Sequence, residues 1–258
     1  MTELHRPTTV TQVVELLAEH PGARPMAGGT SLVQWVHEGL RLAHVVSLER
    51  VDTLWGVEAR PGCVVLGAAT PLAVVLEHAA LDAAPMVREA LAGVGSPQSR
   101  NRATLGGQVA CQGELTTALL ALDARVHIRS ARGTRVAGID ALGLSPMELI
   151  THVEVRHHGA AWMHRRVAWR KALAPAHLVI AATVELQGGL VTEARVAVGG
   201  DGVLSFRSPV MEASLVGAPP QGQRARLLHD DIAWDDRLAS WRARAAEKVL
   251  GAWLDDLG

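Results

Sequence analysis

The sequence predicts an α+β fold in two parts, and three observations predict it. Up to about residue 145, stretches of helical periodicity alternate with short β-branched runs. Beyond that point the pattern shifts to longer strand-like runs joined by a glycine turn, and the chain ends in a helical segment. The 258 residues are 48% apolar and 20% charged, which allows a real core and departs from the composition of a disordered chain. The boundary falls near Leu144, Ser145 and Pro146, giving a first domain over residues 1–145 and a second over residues 146–258.

The elements follow in order. Pro7 opens a helix in which Thr9 and Gln12 form a capping-box pattern, and Val10, Val13, Val14 and Leu17 then share one face. Gly22 is its expected stop. Ala23 to Met26 leads into a glycine turn, after which Leu32, Trp35 and Val36 mark the apolar side of a short helix. Val45 to Leu48 and Cys63 to Gly67 read as strands, the second buried. Pro71 takes the first position of a helix with Leu72, Val75 and Leu76 facing inward. A short helix from about Pro85 to Leu91 follows, then a helix over Ala118 to Asp123, a strand over Val126 to Arg129 and a turn at Arg132 and Gly133. In the second part, Leu149 to Arg156 suits a strand with one solvated face. Leu178 to Leu186 and Val191 to Val198 flank Gly188 and Gly189 as a hairpin. Beyond Pro209 the chain is helical, ending in an amphipathic segment with Leu238, Trp241, Val249 and Trp253.

Composition excludes several classes of function. A net charge of −1 gives no electrostatic reason to expect nucleic acid or an anionic membrane as partner. No apolar run reaches the roughly 18 residues of a membrane span, and Met1 to Pro7 carries no signal-peptide pattern, so a cytoplasmic location is expected. Cys63 and Cys111 are the only cysteines and lie far apart, which leaves no CxxC pair for a cluster or structural zinc; no metal site is expected. There is no Gly-x-Ser-x-Gly elbow and no general acid or base to single out, so no catalytic residue is assigned. Tyrosine is absent and Phe206 is the single phenylalanine, against seven tryptophans.

Chemistry concentrates in two glycine turns about seventy residues apart. The first is Ala27, Gly28, Gly29, Thr30, Ser31 and Leu32; the second runs from Gly95 to Gly113 around Gly106 and Gly107. Successive backbone N–H groups in such turns match a pyrophosphate without long side chains, because glycine permits close approach. Thr30 and Ser31 add hydroxyl groups, and Ser31 is placed to cap a helix starting at Leu32. In the second turn Thr104 supplies a hydroxyl, with Arg100 and Arg102 as local cations. The Gly-x-Gly-x-x-Gly fingerprint of a Rossmann site is absent.

Both turns, in this order, resemble the paired phosphate loops of the FAD-binding (medium) subunits of the molybdenum hydroxylases, the family of carbon monoxide and xanthine dehydrogenase flavoproteins. Ala27 to Leu32 is similar to that family's Ala-Gly-Gly-Thr-Asp-Leu, and Gln98 to Val109 to its Gln-Ile-Arg-Asn-Arg-Ala-Thr-Ile-Gly-Gly-Asn-Leu. The likeness continues through Leu119 to Ser130, Glu148 to Val153 and Val191 to Gly199, and weakens after residue 155. It implies a two-subdomain FAD-binding fold of the PCMH/vanillyl-alcohol-oxidase type, with subdomains of about 1–52 and 53–145, followed by a small α+β domain with an antiparallel sheet. It further implies FAD as cofactor, held by Ala27, Gly28, Gly29, Thr30, Ser31, Leu32, Arg100, Asn101, Thr104, Gly106, Gly107 and Glu114. The expected role is electron relay in a hetero-oligomer, from an iron–sulfur subunit served by a molybdopterin subunit to an acceptor such as NAD or quinone.

The chain departs from the family pattern in places. Gln108 replaces an asparagine, Cys111 follows, and the next stretch is shortened so that Glu114 stands in for an aspartate. Ala174 replaces a carboxylate, beside Pro175. With no tyrosine, an aromatic packed on a flavin must be tryptophan or histidine. These changes keep open two readings of other classes. One is a stand-alone flavin-fold protein of a specialised pathway that shapes a substrate with FAD absent or not redox-active; the other is a purely structural subunit. Outside the turns, His152, His157, His158 and His164 read as surface histidines and Cys111 as a small buried residue. Trp162 and Trp169 are taken as packing residues in a loop, and Arg165, Arg166, Arg170 and Lys171 as a solvated or partner-facing basic cluster.

Overall fold

The computed structural model describes residues 2–156, 160–170, 174–222 and 239–257, and within them the chain builds three sheets in succession. The first is parallel and small: β1 (Glu3–His5), β2 (Arg24–Met26) and β3 (His44–Ser47), in the order β1-β3-β2. Parallel neighbours need crossovers, and two helices provide them: α1 (Val10–Glu19) and α2 (Thr30–His37). Thr9 caps α1 in the expected box with Gln12, and Val13, Val14 and Leu17 are buried against Val46, Leu48 and Leu54.

The second sheet is antiparallel, ordered β4-β5-β8-β6-β7. Its strands are β4 (Val57–Arg60), β5 (Cys63–Gly67), β6 (Arg125–Ser130), β7 (Gly133–Gly138) and β8 (Leu149–Arg156). Between β5 and β6 come α3 (Leu72–Glu77), α4 (Pro85–Gly93), α5 (Pro97–Arg100), α6 (Leu105–Ala110) and α7 (Leu115–Ala121). The main core joins this sheet to those helices through residues such as Leu66, Leu72, Leu91, Leu105, Leu119 and Val153.

The third sheet is ordered β12-β11-β10-β9, built from β9 (Ala161–Val167), β10 (Leu178–Gln187), β11 (Leu190–Gly200) and β12 (Val203–Arg207). Both of its faces are covered. Ala181 and Ala197 join the main core, where α7 lies against β10 and β11. Ile180, Ala182, Val196 and Val198 point the other way, onto α8 (Pro209–Leu215) and α9 (Ala239–Asp255). Alternation along a strand thus explains why β10 is buried from Leu178 to Val184.

Several expectations shift. The break near residue 145 moves beyond Arg156, because β8 pairs with both β5 and β6 in the centre of the second sheet. Pro71 caps α3 rather than opening it, and α7 starts at Leu115, earlier than Ala118. The segment holding Trp162 is strand β9, not loop. On α9 the inward residues are Ala243, Ala246, Leu250 and Leu254, while Trp241 is exposed; Leu238 lies outside the described residues.

Candidate functional site

A cavity of about 590 Å³ opens between the first two sheets, lined by the first glycine turn, by α6 and by the segment from Leu144 to Ile150. Its size suits a cofactor site. The two glycine turns meet at its edge. A Cβ built on Gly28 would fall on the Arg102 carbonyl, so only glycine fits where the two backbones touch. Arg102 adds to the junction by directing its Nε and Nη2 at the Gly28 carbonyl, 3.4 Å from each. Gly106 is pressed less tightly against the end of β5, where a Cβ would lie 2.8 Å from the Ala68 side chain and 2.9 Å from its carbonyl.

The turns differ in what they leave free. In the second, Leu105 N–H bonds to Thr70 O (3.2 Å), Gly106 N–H to Ala68 O (2.8 Å) and Gly107 N–H to Thr104 Oγ1 (3.3 Å). Thr104 is therefore the N-cap of α6, its hydroxyl oxygen accepting within the turn. In the first, the N–H groups from Gly28 to Leu32 have no hydrogen-bond partner among the described residues. Gly29 sits at φ 73° as the N-cap of α2, which begins at Thr30, so Ser31 lies inside the helix and does not cap it. These orphan donors at a helix start carry partial positive charge, and their residues line the cavity.

The structure brings most of the expected residues together. Ala27 to Leu32, Thr104, Gly106 and Gly107 all line the cavity. Arg100, Asn101 and Glu114 do not. Arg100 Nη1 is spent on the carbonyls of Val94 (3.0 Å) and Gly95 (3.2 Å). Glu114 is held by Arg166, with Oε2 2.7 Å from Nε and Oε1 3.2 Å from Nη2, while Oε1 also accepts from Ala176 N–H at 2.8 Å. It ties the start of α7 to the third sheet instead of lining the cavity.

Sequence reasoning missed other parts of the wall. Trp35 on α2 is the aromatic residue lining the cavity. Trp162 instead packs on the main core, and Trp169 is 86% exposed, edge-on to His177. Cys111 is exposed in the cavity wall rather than buried. Gln108, also lining it, buries its Oε1 with no partner among the described residues. Glu148 shapes the far wall: it accepts from Arg135 Nε (2.7 Å) and Ser145 N–H (2.8 Å), and the Arg135 hydrogen bond holds its carboxyl below the usual range.

The histidines also differ from expectation. His164 is buried, and burial, aided by Arg165 and Arg166, lowers its pKa to about 4. His152 is half-buried, stacked on His127 with ring centroids 4.0 Å apart. His157, His158 and Lys171 lie outside the described residues. Arg165 pairs with Glu89 at 3.4 Å and Arg170 is exposed, so the basic cluster is split between an internal clamp and the surface.

The family described as "FAD binding domain in molybdopterin dehydrogenase" matches residues 1–155. The chain belongs to this family. It is an FAD-dependent dehydrogenase flavoprotein of the molybdenum hydroxylase type, and its cofactor is FAD. It is 29% identical to the xanthine dehydrogenase FAD-binding subunit of Escherichia coli over 259 residues, covering 93% of this chain and 88% of that one. Against the nicotine 6-hydroxylase medium subunit of Paenarthrobacter nicotinovorans the identity is 30% over 236 residues, covering 85% and 81%. The same fold occurs in carbon monoxide dehydrogenase from Hydrogenophaga pseudoflava, with a TM-score of 0.88 at 22% identity over 97% of this chain and 95% of that one. The PCMH-type α+β architecture expected from the two turns is therefore the one observed. The cavity fits this cofactor, since the unpartnered N–H donors suited to a diphosphate and the indole of Trp35 belong to residues that line the same space. No helix among the described residues is long and apolar enough to cross a membrane.

Proposed function

We propose that FAD lies in this cavity with its diphosphate on the first glycine turn, and that the chain relays electrons within a hetero-oligomer. The electrons come from an iron–sulfur subunit served by a molybdopterin subunit and go to a soluble acceptor such as NAD or quinone. FAD supplies the redox chemistry; the protein binds, orients and shields it. The observation that carries the reading is the set of unpartnered N–H groups from Gly28 to Leu32 at the start of α2. Thr30 and Ser31 add hydroxyl donors, and Gly106 and Gly107 bring the backbone of α6 close from the other side. Arg102 steadies the junction of the turns and stays exposed beside it. Trp35 takes the role left vacant by the missing tyrosine, an aromatic surface. Glu114 and Arg100 act on protein groups and serve the cofactor only by holding α7 and the loop before α5 in place.

An apolar surface supports the subunit role. Among the described residues, α2 buries none of its own, and Val33, Trp35 and Val36 are each more than 40% exposed. That is a surface for cofactor and partner rather than for this chain's core.

The relay is tested in the assembled complex carrying Gly28→Ala. The expected result is that substrate oxidation persists with an artificial dye that takes electrons before the flavin, while reduction of the natural acceptor is lost. If both activities survive equally, the relay does not pass through this cavity.

A further inference from the structure

Away from the cavity, three histidines distant in sequence meet. His5 ends β1, His20 closes α1 and His44 opens β3. His20 precedes β2 and the glycine turn follows it, so cluster and turn sit at opposite ends of the parallel sheet. None of the three lines the cavity.

Their geometry is compact. His5 Nε2 is 3.1 Å from His44 Nδ1, and the Glu3 carboxylate lies 3.6 Å from the same nitrogen. Ring centroids are 4.1 Å apart for His20 and His44, 4.9 Å for His5 and His20, and 5.3 Å for His5 and His44. One ring nitrogen from each residue falls within 4.8 Å of the other two, and all three side chains are partly buried. Charge does not gather them, because imidazolium groups this close would repel. The rings are stacked, 17–29° from parallel, with their nitrogens close together, and imidazole nitrogens are preferred ligands of zinc-like divalent cations. Zinc–nitrogen bonds of about 2.0–2.1 Å in a tetrahedron separate ligand atoms by roughly 3.3 Å. The His5–His44 pair already meets that spacing, and Glu3 nearly does.

We infer that His5, His20 and His44, with Glu3 as fourth ligand, form a binding site for a zinc-type divalent cation. Binding displaces the proton shared between His5 and His44 and clasps β1 and the end of α1 onto β3. The role is structural, fastening the layer from which the glycine turn projects, and it does not depend on the flavin reading.

The test uses untagged, chelator-treated protein with FAD content measured separately. Titration with Zn²⁺ should show one saturable site, and Co²⁺ should give the intense visible bands of tetrahedral coordination. His5→Ala and His44→Ala should each weaken binding at least about tenfold. His20→Asn, a residue that suits a helix end, should do the same without disturbing α1. Circular dichroism and FAD content should stay unchanged in that variant, so a failure here is distinct from a failure of the cavity assignment. Absence of a saturable site in the folded wild type, or equal zinc affinity in the folded His20→Asn variant, overturns the inference.

Discussion

At the scale of single residues, Gly28 decides most. Its Cα rests against the Arg102 carbonyl with no room for a methyl group, so Gly28→Ala must part the two turns. Each charge-assisted hydrogen bond lost is worth about 1.5–3 kcal/mol, so FAD affinity should fall roughly ten- to a hundredfold, read by flavin titration. Gly107→Val is a milder probe of the second turn: an added Cβ meets only Thr104 Oγ1, at 3.1 Å, so the fold should survive and flavin retention should drop. His164 governs a different property. Its folded pKa of about 4 lies below the ordinary value of 6.5, so the unfolded chain binds the extra proton between those pH values. Its contribution is thus fully present above pH 6.5 and is lost as pH falls through about 4, amounting to up to about 3 kcal/mol. Thermal unfolding followed from pH 7 to pH 4 should show this decline, and His164→Gln should flatten it. An unaltered slope in that variant would mean another group is responsible.

At the scale of elements, the link between α7 and the third sheet is the clearest case. The Glu114–Arg166 pair is largely shielded, at 25% and 13% side-chain exposure, and Ala176 N–H shares the carboxylate. Removing one partner strands the other, so Glu114→Ala should cost about 2–3 kcal/mol of stability. FAD affinity of the folded variant should change by less than about threefold, since less than 0.7 kcal/mol is at stake where no cofactor contact is lost. A large affinity loss with unchanged melting would return Glu114 to the cofactor. Sequence made α1, β5, α4 and the β10–β11 hairpin legible because each has a local signature: a capping box, a buried run, an N-terminal proline, a glycine turn. Strand β9 was not legible, because its run Ala161 to Val167 mixes tryptophan, histidine and arginine, and its strand state is imposed by pairing with β10.

For the whole molecule, the likeness of the two glycine turns to the family's phosphate loops pointed to the family and the fold, and the family match and the shared fold agree with it. What stayed hidden is tertiary. Which turn keeps its N–H groups free depends on Ala68 and Thr70 reaching α6 from the end of β5. The wall from Leu144 to Ile150 belongs to the cavity only because β8 returns to the centre of the second sheet. Likewise the three clustered histidines lie 15 and 24 residues apart in sequence and meet only through the parallel sheet. The central claim is that the first turn, at the start of α2, grips the cofactor's diphosphate. The most direct measurement is the amount of FAD released per chain from purified wild-type protein, set beside Gly28→Ala prepared identically. Stoichiometric FAD in the wild type and little in the variant is the predicted result; equal flavin in both, or wild-type protein that stays colourless when incubated with FAD, would contradict it.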